Sequence, residues 1–264
     1  MDREPAVAGR FYPARREELA SEVAALLADT TRSAPAVAVL APHAGYVYSG
    51  GVAGATYARV AVPEQAVVLC PNHTGLGAPV ALWPDGGWRT PLGRVPVDPD
   101  LTAALRACPG VREDRAAHLA EHALEVQLPF LQVSQPGVTF AALCLGPLSV
   151  DACIALGEGI ARALRDRPAL LVASSDMSHY VPAEEARLKD ARALERFLAL
   201  DARGLFETVE REDISMCGFI PATVVLTAAR ALGATSAELV RYANSGDVNG
   251  DLEHVVGYAG AVVH

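Results

Sequence analysis

Three histidines each stand a few residues after a short apolar segment of the sequence. The histidines are His43, His73 and His179, and the segments before them are residues 37–40, 66–69 and 170–173. Short apolar runs bounded by turn residues predict strands buried on both faces of a parallel sheet. Ligands bind at the carboxyl edge of such sheets, where loops from neighbouring strands meet. The spacing therefore predicts a functional site at this edge.

His43 and His73 carry side chains that bind divalent metals, and Cys217 is the candidate third ligand. Two imidazoles and a thiolate suit iron or copper, and also zinc, and they leave a coordination position open. Cys217 stands in a short turn before a predicted helix, whose dipole would favour the thiolate. The alternatives are structural, hydrogen-bonded histidines and an inert buried thiol. We expect Fe(II) in this site, with copper as the first alternative and zinc as the second.

His179 and Asp176 form a candidate acid/base pair beside the predicted metal. Asp176 precedes His179 by three residues, in a loop that also contains Ser174, Ser175 and Ser178. A histidine across the open coordination position could move a proton while the carboxylate orients its ring. The alternative is a loop histidine whose nitrogens are satisfied by the neighbouring hydroxyl groups.

A second motif, formed by His118, Glu121 and His122, matches the inverted zinc-protease pattern H-x-x-E-H. On a helix, this spacing would place two imidazoles and a glutamate base on one face. The pattern is short enough to arise by chance, and the sequence offers no clear third ligand. We therefore expect His118 to be dispensable for metal binding, whereas Glu121 and His122 could reach the rim of the first site.

The order of apolar and amphipathic segments predicts the elements that must position these residues. Further strands are expected at residues 140–143, 238–244 and 255–263, and a hairpin at 79–99. Helix-period segments are residues 16–28, 119–131, 151–164, 184–200 and 221–232. This alternation predicts an α/β protein with one domain over residues 1–264, a three-layer α/β/α sandwich around a mixed, mostly parallel sheet.

Composition excludes several functional classes. The net charge of -9 argues against a duplex nucleic-acid partner, which requires a basic face. No apolar run reaches the roughly 18 residues of a membrane span. The five cysteines are scattered and odd in number, which favours reduced thiols in the cytoplasm over a disulfide framework. A serine-hydrolase elbow, a dinucleotide fingerprint and a P-loop are all missing from the sequence.

Several long motifs resemble those of the Memo family, in the same order along nearly the whole chain. They are residues 6–13 (AVAGRFYP), 41–50 (APHAGYVYSG), 71–75 (PNHTG), 121–131 (EHALEVQLPFL), 174–180 (SSDMSHY), 216–218 (MCG), 242–247 (YANSGD) and 255–259 (VVGYA). Prokaryotic members are called AmmeMemoRadiSam system protein B, which implies a radical-SAM protein as a partner.

The resemblance also implies a fold and a site. The fold of the family is similar to that of class III extradiol dioxygenases, in which two histidines and a carboxylate bind iron. His43 and His73 match the ligands and His179 matches the acid/base histidine, while Cys217 stands in place of the carboxylate. We expect a metal-binding, dioxygenase-like redox protein of unspecified substrate. The alternative is a non-catalytic module that uses the same pocket to bind a peptide, a small molecule or copper.

Overall fold

A computed structural model describes residues 1–28 and 33–264 of the chain. Its strands are β1 (Asp2–Arg3), β2 (Ala38–Ala41), β3 (Gln65–Pro71), β4 (Val80–Leu82), β5 (Gly87–Thr90), β6 (Gly93–Pro96), β7 (Arg112–Glu113), β8 (Thr139–Leu145), β9 (Ala169–Ser174), β10 (His179–Val181), β11 (Ala237–Asn244) and β12 (Val255–Val263). Its α-helices are α1 (Arg16–Leu26), α2 (Tyr46–Ala58), α3 (Pro99–Leu105), α4 (Ala116–Leu119), α5 (Leu128–Ser134), α6 (Val150–Leu164), α7 (Ala183–Leu198), α8 (Ala202–Arg211), α9 (Phe219–Ala231) and α10 (Gly246–Asn249), and Glu125–Gln127 is a 3-10 turn.

The predicted apolar strands lie side by side at the centre of one large sheet. Its order is β10-β12-β2-β9-β3-β8-β4-β7, and β11 pairs with β12. The inner pairs β2–β9, β9–β3 and β3–β8 are parallel, whereas β12 and β4 join them in antiparallel orientation. The mixed, mostly parallel sheet is therefore confirmed.

Alternate residues of the central strands belong to two separate hydrophobic cores. In β2, Ala38 and Leu40 face the core that contains the apolar side of α6 and α9. Val39 and Ala41 face the opposite core, which is closed by α1, α2 and α5. This alternation places helices on both faces of the sheet, as the three-layer prediction requires.

The segment 79–99 contains the expected hairpin. β5 and β6 are antiparallel neighbours in a small second sheet, and β1 extends it in parallel with β5. Arg3 of β1 is buried, lies over the ring of Trp88 at 4.1 Å and donates to Glu125 at 2.7 Å. The start of the chain is thereby tied to the segment that follows α4.

The predicted continuous helix over residues 119–131 is wrong. α4 ends at Leu119, the 3-10 turn follows after an irregular stretch, and α5 begins only at Leu128. Pro129 cannot lie inside a helix because it lacks an N–H, and it occupies the first turn of α5 instead. The carboxylate of Glu121 also accepts the backbone N–H of Ala123, which competes with helix formation.

Helix α2 was not predicted, because its sequence contains three glycines. Two of these glycines permit close packing on α1. A Cβ atom at Gly54 would lie 2.4 Å from the carbonyl oxygen of Leu26, and a Cβ atom at Gly50 would lie 2.9 Å from Cδ1 of Leu26. Within the described residues, no helix has the length and apolar character needed to cross a bilayer.

Candidate metal centre

The carboxyl ends of three neighbouring strands deliver the predicted site residues to one edge of the sheet. His43 follows β2, Asp176 follows β9 and His73 follows β3, each two residues beyond the last residue of its strand. Cys217 reaches the same edge from the turn before α9. The adjacent Gly218 is required there, because a Cβ at that position would lie 2.3 Å from the carbonyl oxygen of Ser174.

His43, His73 and Cys217 offer a set of ligand atoms that all lie within 4.8 Å of one another. The two imidazole centroids are 5.2 Å apart, and the rings are nearly perpendicular. Cys217 Sγ lies 3.2 Å from His43 Nε2. His43 is 2% exposed, while His73 lies at the open side of the group. The three predicted ligands are thus brought together, with two nitrogen donors and one sulfur donor close enough to one another to hold one metal ion.

The tautomer of His43 is set by the hydroxyl group of Ser174. Ser174 donates its proton to the carbonyl oxygen of Ala123 at 2.6 Å, so its oxygen must accept from His43 Nδ1 at 2.9 Å. The amide of Gln127 donates to the same oxygen and to the carbonyl of Pro42. Since Nδ1 carries the proton, the lone pair of Nε2 is directed to Cys217 and is available to a metal.

His73 is oriented in the same way by a buried carboxylate. Glu121 accepts the ring Nδ1–H of His73 at 2.9 Å and its backbone N–H at 2.6 Å. Burial lowers the pKa of His73, but the hydrogen bond and negative charge of Glu121 outweigh this effect and leave the pKa raised. The bond leaves Nε2 of His73 as the ligand atom. A carboxylate behind a metal-binding histidine also makes that histidine a more basic ligand.

Cys217 lies before the N-terminus of α9, as predicted, but the helix dipole does not dominate its acidity. Burial raises the pKa of the Cys217 thiol well above its ordinary value, and the charge of Asp176 raises it further. The expected thiolate is therefore not favoured by the protein alone. A bound divalent cation would supply the charge that deprotonates a coordinating thiol.

Asp176 and His179 lie at the same pocket but are not joined as predicted. Asp176 Oδ1 accepts the backbone N–H groups of His43 at 2.7 Å and Ala44 at 3.3 Å. His179 is held instead by Ser215, whose carbonyl accepts its Nδ1–H at 2.8 Å and whose hydroxyl accepts its backbone N–H. Asp176 thus shapes the loop that carries His43, and Ser215 orients His179.

His118 lies apart from the metal-binding group. It is 0% exposed, its Nε2 donates to the carbonyl of Ala81 at 3.1 Å, and its ring packs against Trp83 and Trp88. Burial lowers its pKa to about 4, so the ring is neutral. The protease-like motif is therefore split between a core histidine and two pocket residues.

A second group of ligand types contains His73, Glu121 and His122. Glu121 Oε1 already accepts two hydrogen bonds, from His73 Nδ1 and Ala123 N, both at 2.9 Å. Both lone pairs of this oxygen are used by protein donors, and Nε2 is the only ring nitrogen of His73 that is not bonded to Glu121. We therefore interpret this group as the support of the first site.

Sequence reasoning did not identify Ser174 and Gln127 as functional residues. Both are fully buried and act through His43, at sequence separations of 131 and 84 residues. One signal for Gln127 was present in the sequence. The family motif at residues 121–131 contains it, and this motif is longer than Glu121 and His122 alone would require.

The family model described as Memo-like protein matches residues 3–262. A MEMO1 family protein of Methanopyrus kandleri is 44% identical over 279 residues, covering 99% of each chain. A MEMO1 family protein of Aquifex aeolicus is 42% identical over 262 residues, covering 98% of each chain. The crystal structure of an uncharacterized protein from Escherichia coli K12 has a TM-score of 0.56 at 15% identity, covering 83% of this chain and 98% of that one. This last similarity concerns the fold alone.

Proposed function

The chain belongs to the Memo family, and we propose that it is a metal-binding, dioxygenase-like redox protein in which His43, His73 and Cys217 hold Fe(II). One observation carries the proposal: the three side chains place two nitrogen atoms and one sulfur atom within 4.8 Å of one another. Both imidazoles also present Nε2, because their Nδ1 atoms are bonded to Ser174 and Glu121.

The donor set suits a redox metal. Two imidazoles and a thiolate form a softer site than the two-histidine, one-carboxylate triad, and three ligands leave coordination positions open. Fe(II) and copper fit these donors, and zinc is the third alternative. The hydrogen bonds behind His43 and His73 orient both rings in advance, so less side-chain entropy remains to be lost on binding.

The chain's own residues would then bind the metal and move protons. The iron would supply redox chemistry and an open coordination position. Because the Nδ1–H of His179 donates to the Ser215 carbonyl, Nε2 is the atom at which His179 accepts and returns a proton. His43 is buried and Cys217 is half-buried, so water reaches these two ligand atoms less readily than it reaches His73.

A second candidate function is the sequestration of copper without turnover. It is favoured by Cys217, because thiolate and imidazole ligands select Cu(I) and the family's dioxygenase-like relatives use a carboxylate there. The two functions make different demands on His179. A redox enzyme needs proton transfer by His179, whereas copper sequestration needs only the three ligands.

Metal content tests the proposal directly. The protein would be purified without oxygen and analysed by mass spectrometry as wild type and as His43→Ala, His73→Ala and Cys217→Ala, with His118→Ala as the control variant. We expect near-stoichiometric iron in the wild type and in the control, and its loss in the three ligand variants without a change in circular dichroism.

Two outcomes would decide against parts of this proposal. Wild-type protein that is metal-free and takes up neither Fe(II), Cu(I) nor Zn(II) on titration would refute the metal site. Stoichiometric Cu(I), combined with no oxygen consumption and full copper retention in His179→Ala, would favour sequestration over the redox function.

A further inference from the structure

A fourth imidazole, His122, lies beside the candidate ligands. Its ring is nearly parallel to that of His73 with centroids 4.9 Å apart, and it lies 5.5 Å from the ring of His43. Phe11 contacts it from the N-terminal segment at 4.7 Å. With 24% of its side chain exposed, His122 is largely covered but still open to the pocket.

The ring of His122 differs from the other three imidazoles in its hydrogen bonds. The Nδ1 atoms of His43, His73 and His179 are each bonded to the protein. Among the residues that the structure describes, the ring of His122 has no hydrogen-bond partner; Glu121 Oε1 lies 3.4 Å from its Nδ1 without forming a hydrogen bond.

That oxygen of Glu121 cannot serve His122. It already accepts from His73 Nδ1 and from Ala123 N, which together use both of its lone pairs. An imidazole carries at least one N–H whichever tautomer it adopts. His122 therefore keeps a donor that the described protein does not use, while aromatic contacts with Phe11 and His73 hold the ring in place.

His122 does not belong to the proposed ligand set. In the described residues, its ligand atom lies within 4.8 Å of those of His73 and Glu121, but it is not part of the group formed by His43, His73 and Cys217. Its nitrogens are thus near the metal position without joining the ligands. A group that ligates the metal from the pocket side would come within reach of this unused donor.

We propose that His122 is a ligand-binding residue, which donates a hydrogen bond to a small anion held at the open position of the metal. The inference rests on the proposed metal site and extends it to what the site binds. The cation attracts the anion, His122 orients it, and the nearby carboxylate of Glu121 does not compete because its oxygens are occupied by protein donors.

Cobalt substitution provides the test, because the visible spectrum of Co(II) reports ligands that enter its coordination sphere. Co(II)-loaded protein would be titrated with azide as wild type, His122→Leu and His122→Gln, with His254→Leu as the control. His254 is 71% exposed and belongs to neither ligand group. Cobalt content would be measured in every sample.

We expect His122→Leu to retain full cobalt but to bind azide about tenfold more weakly, the usual worth of one hydrogen bond to a charged group. His122→Gln should recover part of this affinity because it restores an N–H donor.

Unchanged azide affinity in both variants would overturn the inference. So would cobalt-loaded wild type that binds no azide, or loss of cobalt from His122→Leu and His122→Gln, which would make His122 a metal ligand. A wild-type protein that binds no metal would instead refute the proposed function from which the inference starts.

Discussion

Nδ1 of His43 donates a hydrogen bond to the hydroxyl oxygen of Ser174 at 2.9 Å, and this contact leaves Nε2 of His43 as the nitrogen available to the proposed metal. The serine is itself fixed, because it donates to the carbonyl of Ala123 and accepts from Gln127. A residue outside the proposed ligand set thus determines which nitrogen of a proposed ligand is available to a metal.

Replacing Ser174 with alanine should weaken metal binding by about 10- to 100-fold, the usual effect of removing a hydrogen-bond partner behind a ligand. The reason is that Nδ1 of His43 loses its acceptor, so the tautomer and the ring orientation are no longer fixed. Competition titrations with a chelator would measure the dissociation constant. Ser149→Ala, which removes the N-cap of α6, is the control. Equal affinities in wild type and Ser174→Ala would contradict this role.

Gly218→Ala should displace Cys217 and lower metal content. A Cβ at position 218 would lie 2.3 Å from the carbonyl oxygen of Ser174 and 2.4 Å from Cβ of Ser175, so the turn must move away from β9. Gly45→Ala is a matched control beside His43, because its Cβ would have an ordinary contact of 3.6 Å with the carbonyl oxygen of Phe11. The metal content of both variants would check the prediction. A Gly218→Ala protein with the same metal content as the wild type would contradict it.

Because of His118, the free energy of unfolding should decrease as the pH falls from about 6.5 to 4. Its folded pKa of about 4 lies below the ordinary value of 6.5, so the unfolded chain binds the proton first and acid favours unfolding. The difference between these two pKa values corresponds to a loss of about 3 kcal/mol in the free energy of unfolding over this pH range. His118→Leu should therefore show a shallower loss of stability.

Urea unfolding at a series of pH values would measure this slope. His254→Leu, an exposed histidine, should leave the slope unchanged. A His118→Leu protein whose stability falls as steeply as the wild type would show that His118 is not the group responsible.

The buried pair of Arg3 and Glu125 should be a major determinant of stability. Both side chains are at most 1% exposed, and Glu125 also accepts from Tyr12 and from the backbone of Ala6 and Val7. Arg3→Met would leave a buried carboxylate without its cation, at a cost of about 3–5 kcal/mol. The free energy of unfolding in urea measures this loss.

The control for Arg3 is Arg187→Met, which breaks an exposed pair with Glu184. Solvent screens such a pair, so its removal should change stability little. If Arg3→Met and Arg187→Met lowered the free energy of unfolding by similar amounts, the buried ion pair would contribute no more to stability than the exposed one.

The positions of His43 and His73 could be predicted because each follows an apolar run, and parallel strands end at a common edge. The same reasoning located Cys217 before a helix. The strands β11 and β12 and the hairpin of β5 and β6 also followed from local patterns, whereas the pairing of β11 with β12 was found in the structure.

The supports of the site could not be predicted in this way. Glu121 bonds His73 across 48 residues, and Ser215 bonds His179 across 36, distances over which periodicity carries no information. The predicted hydrogen bond between Asp176 and His179 is not found among the described residues, because Asp176 accepts from the backbone of His43 and His179 donates to the carbonyl of Ser215. The burial that makes Cys217 a weak acid likewise depends on the packed fold.

The separation of His43 and Cys217 by 174 residues has a consequence for synthesis on the ribosome. A nascent chain that has released β2 and β3 can offer a metal two imidazoles, but the sulfur follows only when the segment before α9 emerges. Chains that terminate before Cys217 therefore lack the complete set of proposed ligands, and if the proposed site binds a metal, all three ligands can hold it only well after both histidines have been synthesised.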